Sequence, residues 1–406
     1  MSERPFDIAL FGATGFAGRL VAEYIAKSAP PDLRWCMAGR SKEKLERVRG
    51  ELGLSSVPTV VADSHDAGSL EALVRDAHVV CTTVGPFAQH GAGLVRAAAR
   101  SGTHYCDITG EPTFVRRSID DNHDAAMQSG ARIVHCCGFD SIPFDLGVCM
   151  LWDHAMRSEG TGLRWAKGFA GETKGGFSGG TLSSIAFLME EAMQDREVRR
   201  LLGDPHGLDP RRGTRTTDPF EHDPKGVAWD ADLGSWTAPF LMSAVNTRIV
   251  RRSDALREGG YGAHFRYREA MSFPRGPKGL ALATAVTGGL AGLTAVFAFG
   301  PTRRLAVRAF VKPGEGPSAE ERARGYFRVR LACETEKGTK LFARVEGTSD
   351  PGYGETAKML GESALCLARD GRDLPAAAGV LTPATAMGMR LVERLRRAGM
   401  TFRVDG

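Results

Sequence analysis

Gly12, Gly15 and Gly18 stand at intervals of three in Phe11-Gly12-Ala13-Thr14-Gly15-Phe16-Ala17-Gly18, between the apolar run Phe6 to Phe11 and the periodic Leu20, Val21, Tyr24 and Ile25. A strand, a glycine turn and a helix in that order form a dinucleotide site. Gly12 allows the tight turn, Gly15 lets a pyrophosphate reach bare backbone, and Gly18 lets helix pack closely on sheet. The phosphates then rest on the free N–H groups and positive dipole end of the helix. Ala13, Thr14 and Phe16 complete the expected cofactor turn. The second strand, Leu33 to Ala38, closes on Gly39-Arg40-Ser41, where an NAD-specific domain carries a carboxylate. No acid stands there. Arg40 and Ser41, with Lys44, suit charge-assisted bonds to a 2′-phosphate, so NADP(H) is the expected cofactor. The alternative is a solvated basic helix start.

Further polar residues fall where β-branched runs end. Asp63 closes Val57 to Ala62, and Thr83, Gly85, Pro86 and Phe87 close Ala77 to Val84. Ligands bind at such strand ends in open α/β sheets. Asp63 is a candidate for the adenine edge and Thr83 to Phe87 for the nicotinamide ribose, with plain turn chemistry as the alternative for both. Two more units, Thr103 to Glu111 and Ala131 to Pro143, form the candidate reaction edge. Tyr105, Asp107, Asp140 and Ser141 are its candidate catalytic groups, able to hold or donate a proton. Each also reads structurally: the two aspartates and the serine as helix caps, Tyr105 as core.

The alternation of strands and helices predicts an α/β fold, an N-terminal Rossmann domain over residues 1–145. An α+β substrate domain follows over 146–350. Its strands are expected at Leu163 to Ala170, Gly262 to Met271, Tyr326 to Cys333 and Lys340 to Glu346, the last two as a hairpin. Lys174 to Ser184 reads as a glycine-rich loop opening a helix from about Thr181 to Asp195. It offers backbone N–H groups to a substrate or serves as a plain turn. Gly203 to Pro239, dense in Pro, Gly, Asp and Arg, reads as a long excursion over the active-site mouth.

Composition narrows the function classes. A net charge of +5, without a basic stripe interleaved with aromatics, argues against nucleic-acid binding. The 8 cysteines show no metal-type spacing and sit largely in apolar runs, so buried thiols, no disulfide between the strand neighbours Cys136 and Cys137, and no metal are expected. The first strand starts too early for a signal peptide, which predicts a cytoplasmic protein. Leu280 to Phe299 carries no charge and is flanked by Arg275, Lys278, Arg303 and Arg304. Strands on both sides argue against a single crossing. Peripheral contact with the inner face of the membrane is expected, with a buried helix pair or a cover over an acyl pocket as alternatives.

Gly12 to Gly18, Ala38-Gly39-Arg40-Ser41, Val84-Gly85-Pro86-Phe87, Tyr105 to Glu111 and Gly138 to Asp145 together resemble the saccharopine dehydrogenase-like oxidoreductases. Within them the chain is most similar to actinobacterial trans-acting enoyl reductases. Gly179-Gly180-Thr181, Asp350-Pro351-Gly352-Tyr353 and Gly379 to Leu395 extend the likeness. It implies an NADP(H)-binding Rossmann domain, dimer contacts in the second domain, and C-terminal helices over 351–406 that pack back on the first. It also implies reduction of an unsaturated acyl or polyketide-type lipid precursor, with a lipid or polyketide synthase as partner. The alternatives are a saccharopine dehydrogenase-like reaction on an imine or amino acid, with Arg164, Arg248, Arg266 or Arg330 binding a carboxylate, and a non-catalytic NADP(H)-binding protein at the membrane surface.

Overall fold

Near-continuous apolar runs such as Phe6–Phe11 form strands that are covered on both faces, the requirement of a parallel sheet. A computed structural model describes residues 4–175, 179–210, 218–298, 302 and 316–405. The chain divides into two units: Met1–Phe139 with Pro313–Ser318 and Gly352–Ala398, and Asp140–Lys312 with Ala319–Pro351 and Gly399–Gly406.

The first unit holds β1 (Phe6–Phe11), β2 (Trp35–Gly39), β3 (Thr59–Val61), β4 (Ala77–Thr82), β5 (His104–Asp107), β6 (Arg132–Val134) and β13 (Gly379–Leu381). Their order is β13-β6-β5-β4-β1-β2-β3 and every pairing is parallel. The order reverses between β1 and β4, which opens a crevice at the carboxyl ends of those strands. Helices α1 (Phe16–Ser28), α2 (Lys42–Glu51), α3 (Ala67–Asp76), α4 (Phe87–His90), α5 (Ala92–Ser101) and α6 (Pro112–Ser129) make the connections. A helix at Thr356–Arg369 buries Met359, Leu360, Ala364, Leu365 and Leu367 against β1, β4, β5 and α1. A second, Gly388–Arg397, buries Leu391, Val392 and Leu395 and carries arginines in its last turn, which suit the negative end of its dipole.

One expectation about this unit is corrected. Cys136 and Cys137 lie beyond β6, and Cys136 takes a φ of 63°, so they are not strand neighbours. All eight cysteines are buried free thiols.

The second unit is a mixed sheet of β7 (Leu163–Lys174), β8 (Ala228–Asp230), β9 (Ser235–Ala238), β10 (Arg266–Phe273), β11 (Tyr326–Thr335), β12 (Lys340–Gly347) and β14 (Thr401–Asp405), ordered β14-β12-β11-β7-β10-β9-β8. In β11 Phe327, Val329 and Leu331 point inward while Arg328 and Arg330 are exposed, the two-residue period of a strand with one covered face. Helices α7 (Ile142–Glu159) and α10 (Ser243–Leu256) pack against this sheet and each other. Gly203 to Pro239 is more ordered than an excursion: β8 and β9 form a hairpin in which Trp229 and Trp236 pair edge to face at 5.3 Å. Buried Arg251 of α10 donates to the carbonyls of Pro205 at 2.9 Å and Tyr267 at 2.6 Å, fastening the preceding loop and β10. The last strand, β14, pairs with β12, so the chain's final residues belong to this unit and not to the C-terminal helices' unit.

The uncharged stretch forms most of α11 (Gly276–Ala298), and α8 spans Gly179–Gln194, beginning two residues before the expected Thr181. Part of the glycine-rich loop, residues 176–178, lies outside the described residues. β10 runs parallel to β7 and β11 antiparallel to it, so the excursion leaves at Phe273 and returns at Tyr326 at the same end of the sheet, on either side of β7.

Candidate functional site

The glycine turn is built for a ligand as well as for the chain. Gly12 takes a φ of +94°, and a Cβ there would lie 2.7 Å from Val84 Cγ2. At Gly18 a Cβ would lie 2.1 Å from the Gly12 carbonyl oxygen. Those two glycines are demanded by the fold. Gly15 is not: its φ is −79°, and a Cβ would meet only Gly12 O at 3.5 Å. The space beside Gly15 is therefore open, and no side chain caps α1. That arrangement fits a pyrophosphate seated on the helix N-terminus. Thr83 Oγ1 donates to Gly12 O at 3.3 Å and clasps β4 to the turn, while Ala13 is buried and its N–H faces Ala38 O at 3.3 Å. Thr14 and Phe16 lie on the turn itself, the Phe16 ring edge-on to Tyr353 at 4.8 Å.

Arg40 follows β2 and is exposed, and Ser41 caps α2, its Oγ accepting the Lys44 N–H at 3.3 Å. The Ser41 hydroxyl hydrogen is not used in that bond and can still donate to a phosphate. Asp63 accepts the His65 backbone N–H at 2.9 Å, a turn-forming bond that occupies one of its oxygens. Gly85-Pro86 leads into α4, and the Phe87 and Ala88 N–H groups donate to the two Glu111 oxygens at 3.0 and 2.8 Å. Glu111 thereby caps α4 from a distance, a role that only the fold reveals. If Arg40 holds the 2′-phosphate, Arg40→Ala weakens NADPH binding by about 1.5–3 kcal/mol and leaves NADH nearly unchanged. Equal losses in a fluorescence titration of both cofactors would make Arg40 structural.

Tyr105 and Asp107 sit in the first unit, fully buried. Asp107 Oδ2 accepts from Tyr105 Oη at 2.8 Å and pairs with His135 Nδ1 at 2.7 Å; its Oδ1 accepts the N–H groups of Thr109 at 3.0 Å and Cys136 at 3.1 Å. His135 Nε2 meets Ser118 Oγ at 2.7 Å. Burial, then the Asp107 charge, pushes the Tyr105 hydroxyl well above its ordinary range. This closed network orders the loop after β6, and His135 and Ser118 were not foreseen in it.

Asp140 and Ser141 belong to the second unit. Ser141 heads α7 without capping it and instead donates to Asn246 Oδ1 at 3.0 Å. Asn246 Nδ2 donates to Glu269 Oε2 at 3.1 Å, and Tyr267 Oη donates to Glu269 Oε1 at 2.9 Å. Ser141's one hydrogen is thus committed, which makes it a positioning group and not a free donor. Glu269, held well above the usual carboxylate range by burial, was missed in the sequence. Its inward position two residues from Tyr267 was the available signal. Asp140 differs from all of these. Half-buried, it has no hydrogen-bond or ion-pair partner among the described residues, and partial desolvation pushes its carboxyl up to about 6.

Residues 8–134 match the saccharopine dehydrogenase NADP binding domain. Over 411 residues, 98% of this chain and 97% of its own, a Mycobacterium tuberculosis (strain ATCC 25618 / H37Rv) member of the trans-acting enoyl reductase group is 45% identical. A trans-acting enoyl reductase of the same strain is 41% identical over 99% of this chain and 98% of its own. The chain belongs to the saccharopine dehydrogenase-like trans-acting enoyl reductase family. It is an NADP(H)-dependent oxidoreductase with a Rossmann domain and a second sheet domain. The fold is also that of apo saccharopine dehydrogenase (L-Glu forming) from Saccharomyces cerevisiae, at a TM-score of 0.52 and 11% identity, covering 98% of this chain and 99% of that one.

Proposed function

We propose that the protein reduces the carbon–carbon double bond of an α,β-unsaturated acyl or polyketide-type thioester, an intermediate of the kind a lipid or polyketide synthase supplies. Asp140 carries this reading, as an unpaired carboxyl whose acid form persists up to about 6. Bound at the glycine turn, NADPH would supply a hydride to the β-carbon, and the α-carbon would then need a proton, giving the saturated thioester and NADP+. A desolvated carboxylic acid with an elevated pKa is suited to give that proton. The Ser141–Asn246–Glu269 chain fixes the start of α7 beside it. The relatives' name, enoyl reductase, supports the same reaction.

An amino-acid substrate is less well served. Arg164 pairs with Glu334 at 3.0 Å, Arg248 with Asp223 at 2.6 Å and Arg266 with Asp218 at 2.9 Å, which leaves three of the four candidate arginines already occupied by carboxylates. The reading extends to location. Only 11% of the apolar stretch of α11 is buried, and Leu280, Leu282 and Val296 are exposed. A helix of 23 residues, about 34 Å long, whose chain leaves and returns at one end of the sheet suits lying along an anionic bilayer and receiving a greasy acyl chain. The test follows NADPH oxidation with enoyl thioesters and with keto acid plus amine, each with and without anionic vesicles. Oxidation with the thioester alone, and sedimentation with anionic but not zwitterionic vesicles, are expected. Turnover of keto acid plus amine alone overturns the proposal in favour of the imine reaction; NADPH binding without turnover makes the protein non-catalytic.

A further inference from the structure

Two histidines outside every residue assigned so far meet at the carboxyl edge of the first unit's sheet. His65 lies in the turn between β3 and α3, and His90 ends α4 after β4. His90 Nδ1 stands 3.2 Å from His65 Nε2, with ring centroids 5.2 Å apart and planes at 81°. A bond between two imidazole nitrogens needs one as donor and the other as neutral acceptor, so the pair in this state carries at most one positive charge.

The groups around the pair are known from each side. Arg40 comes from the end of β2, Asp63 from the end of β3 and Glu111 from the start of α6; burial, His65 and Arg40 together hold His90 below its ordinary value, against the pull of Asp63 and Glu111. The two carboxylates are already engaged. Glu111 accepts the Phe87 and Ala88 N–H groups, and Asp63 the His65 N–H. One guanidinium and two imidazoles thus stand together at this edge.

We propose that His65 and His90 join Arg40 in recognising the 2′-phosphate of NADP(H), and that the pair takes up a proton as the phosphate arrives. The phosphate breaks the His–His bond, and each ring then turns an N–H toward the phosphate oxygens. The inference rests on the reading that Arg40 faces the 2′-phosphate. It makes the preference for NADP(H) over NAD(H) a property of three residues from the segments that follow β2, β3 and β4, and dependent on pH, because imidazole charges near neutrality and guanidinium does not discharge.

Calorimetric titration of the full-length protein with NADP+ and with NAD+ at pH 7, in two buffers of different ionisation enthalpy, counts the protons exchanged. The 2′-phosphate has its own pKa near about 6 and binds as the dianion, so it releases protons and opposes the uptake. The readout is therefore the difference between wild type and variants. Measured relative to NAD+, NADP+ should take up more protons in the wild type than in His65→Gln or in His65→Gln with His90→Gln, and in those variants NADP+ affinity should fall about tenfold while NAD+ affinity holds. Folding is checked by an unchanged NAD+ affinity, and the exposed His65 keeps the single variant informative if the double one misfolds. Proton uptake that survives His65→Gln, or equal losses for both cofactors, overturns the proposal. If Arg40→Ala alone leaves the NADP+/NAD+ ratio unchanged, the underlying reading fails first, and the two failures are distinct.

Discussion

Replacing Gly18 with alanine should leave little folded, cofactor-competent protein, whereas replacing Gly15 should leave a folded protein that no longer holds NADPH. The added methyl of Gly18→Ala would sit 2.1 Å from the Gly12 oxygen and 2.7 Å from the Gly12 carbonyl carbon. Both are backbone atoms of the turn off β1, so relief requires moving the helix off the sheet. The cost belongs at the upper end of overpacking, about 3 kcal/mol or more, against a total stability of about 5–15 kcal/mol for a typical domain. At Gly15 the same methyl meets only an ordinary contact at 3.5 Å, and φ is −79°. Gly15 is the N-cap, where glycine is preferred to alanine, so the exchange costs about 0.5–1 kcal/mol in stability, well below the cost at Gly18. The methyl instead occupies the approach of the pyrophosphate, so NADPH affinity should drop at least about tenfold, or about 1.4 kcal/mol. Urea unfolding midpoints and NADPH titrations of the two variants separate these effects. A Gly15→Ala protein that binds NADPH as tightly as wild type would place the phosphates elsewhere.

The contrast between those glycines also marks what a sequence discloses. Spacing identified all three, because a strand-to-helix turn with a ligand over it restricts residue type locally. It did not tell which glycine serves the fold and which the ligand, since that depends on Val84 and Thr83, brought from β4 some seventy residues away. Tyr105 and Asp107 were legible as a pair, two residues apart on one strand face, but their partners His135 and Ser118 come from β6's end and α6. With those partners supplied, a pair that reads as acid/base chemistry becomes a closed, buried network. The short β8 and β9 were hidden in a Pro- and Gly-rich stretch because three or four residues are too few to show a period of two. Buried Arg251 was invisible for another reason: arginine reads as surface until backbone carbonyls are found to receive its guanidinium.

Asp140→Asn should make the protein more stable and much less active. In the folded chain the carboxyl titrates at about 6 against an ordinary 3.8, so the folded state binds the proton more tightly than the unfolded one. The stability this contributes is full below about pH 4 and is lost as pH rises through about 6. By pH 8 the folded protein holds a partly desolvated carboxylate, at a cost of about 1–3 kcal/mol, taking about 1.4 kcal/mol per pKa unit as the upper rate. Asparagine keeps the shape and removes the charge. The variant's unfolding midpoint should therefore exceed the wild type's at pH 8, and the gap should close as pH falls toward 4. Its NADPH affinity should be unchanged, and its turnover of an enoyl thioester should fall about 10²–10⁴-fold, the usual worth of a positioned general acid. Wild-type kcat/KM should decline above about pH 6 with a slope of one proton, a limb absent from the variant. These outcomes pull in opposite directions, which is what distinguishes an acid kept for chemistry from one kept for packing. Full turnover in Asp140→Asn would remove it from the reaction, and a variant less stable than wild type at pH 8 would show that the carboxylate has a partner in the folded protein.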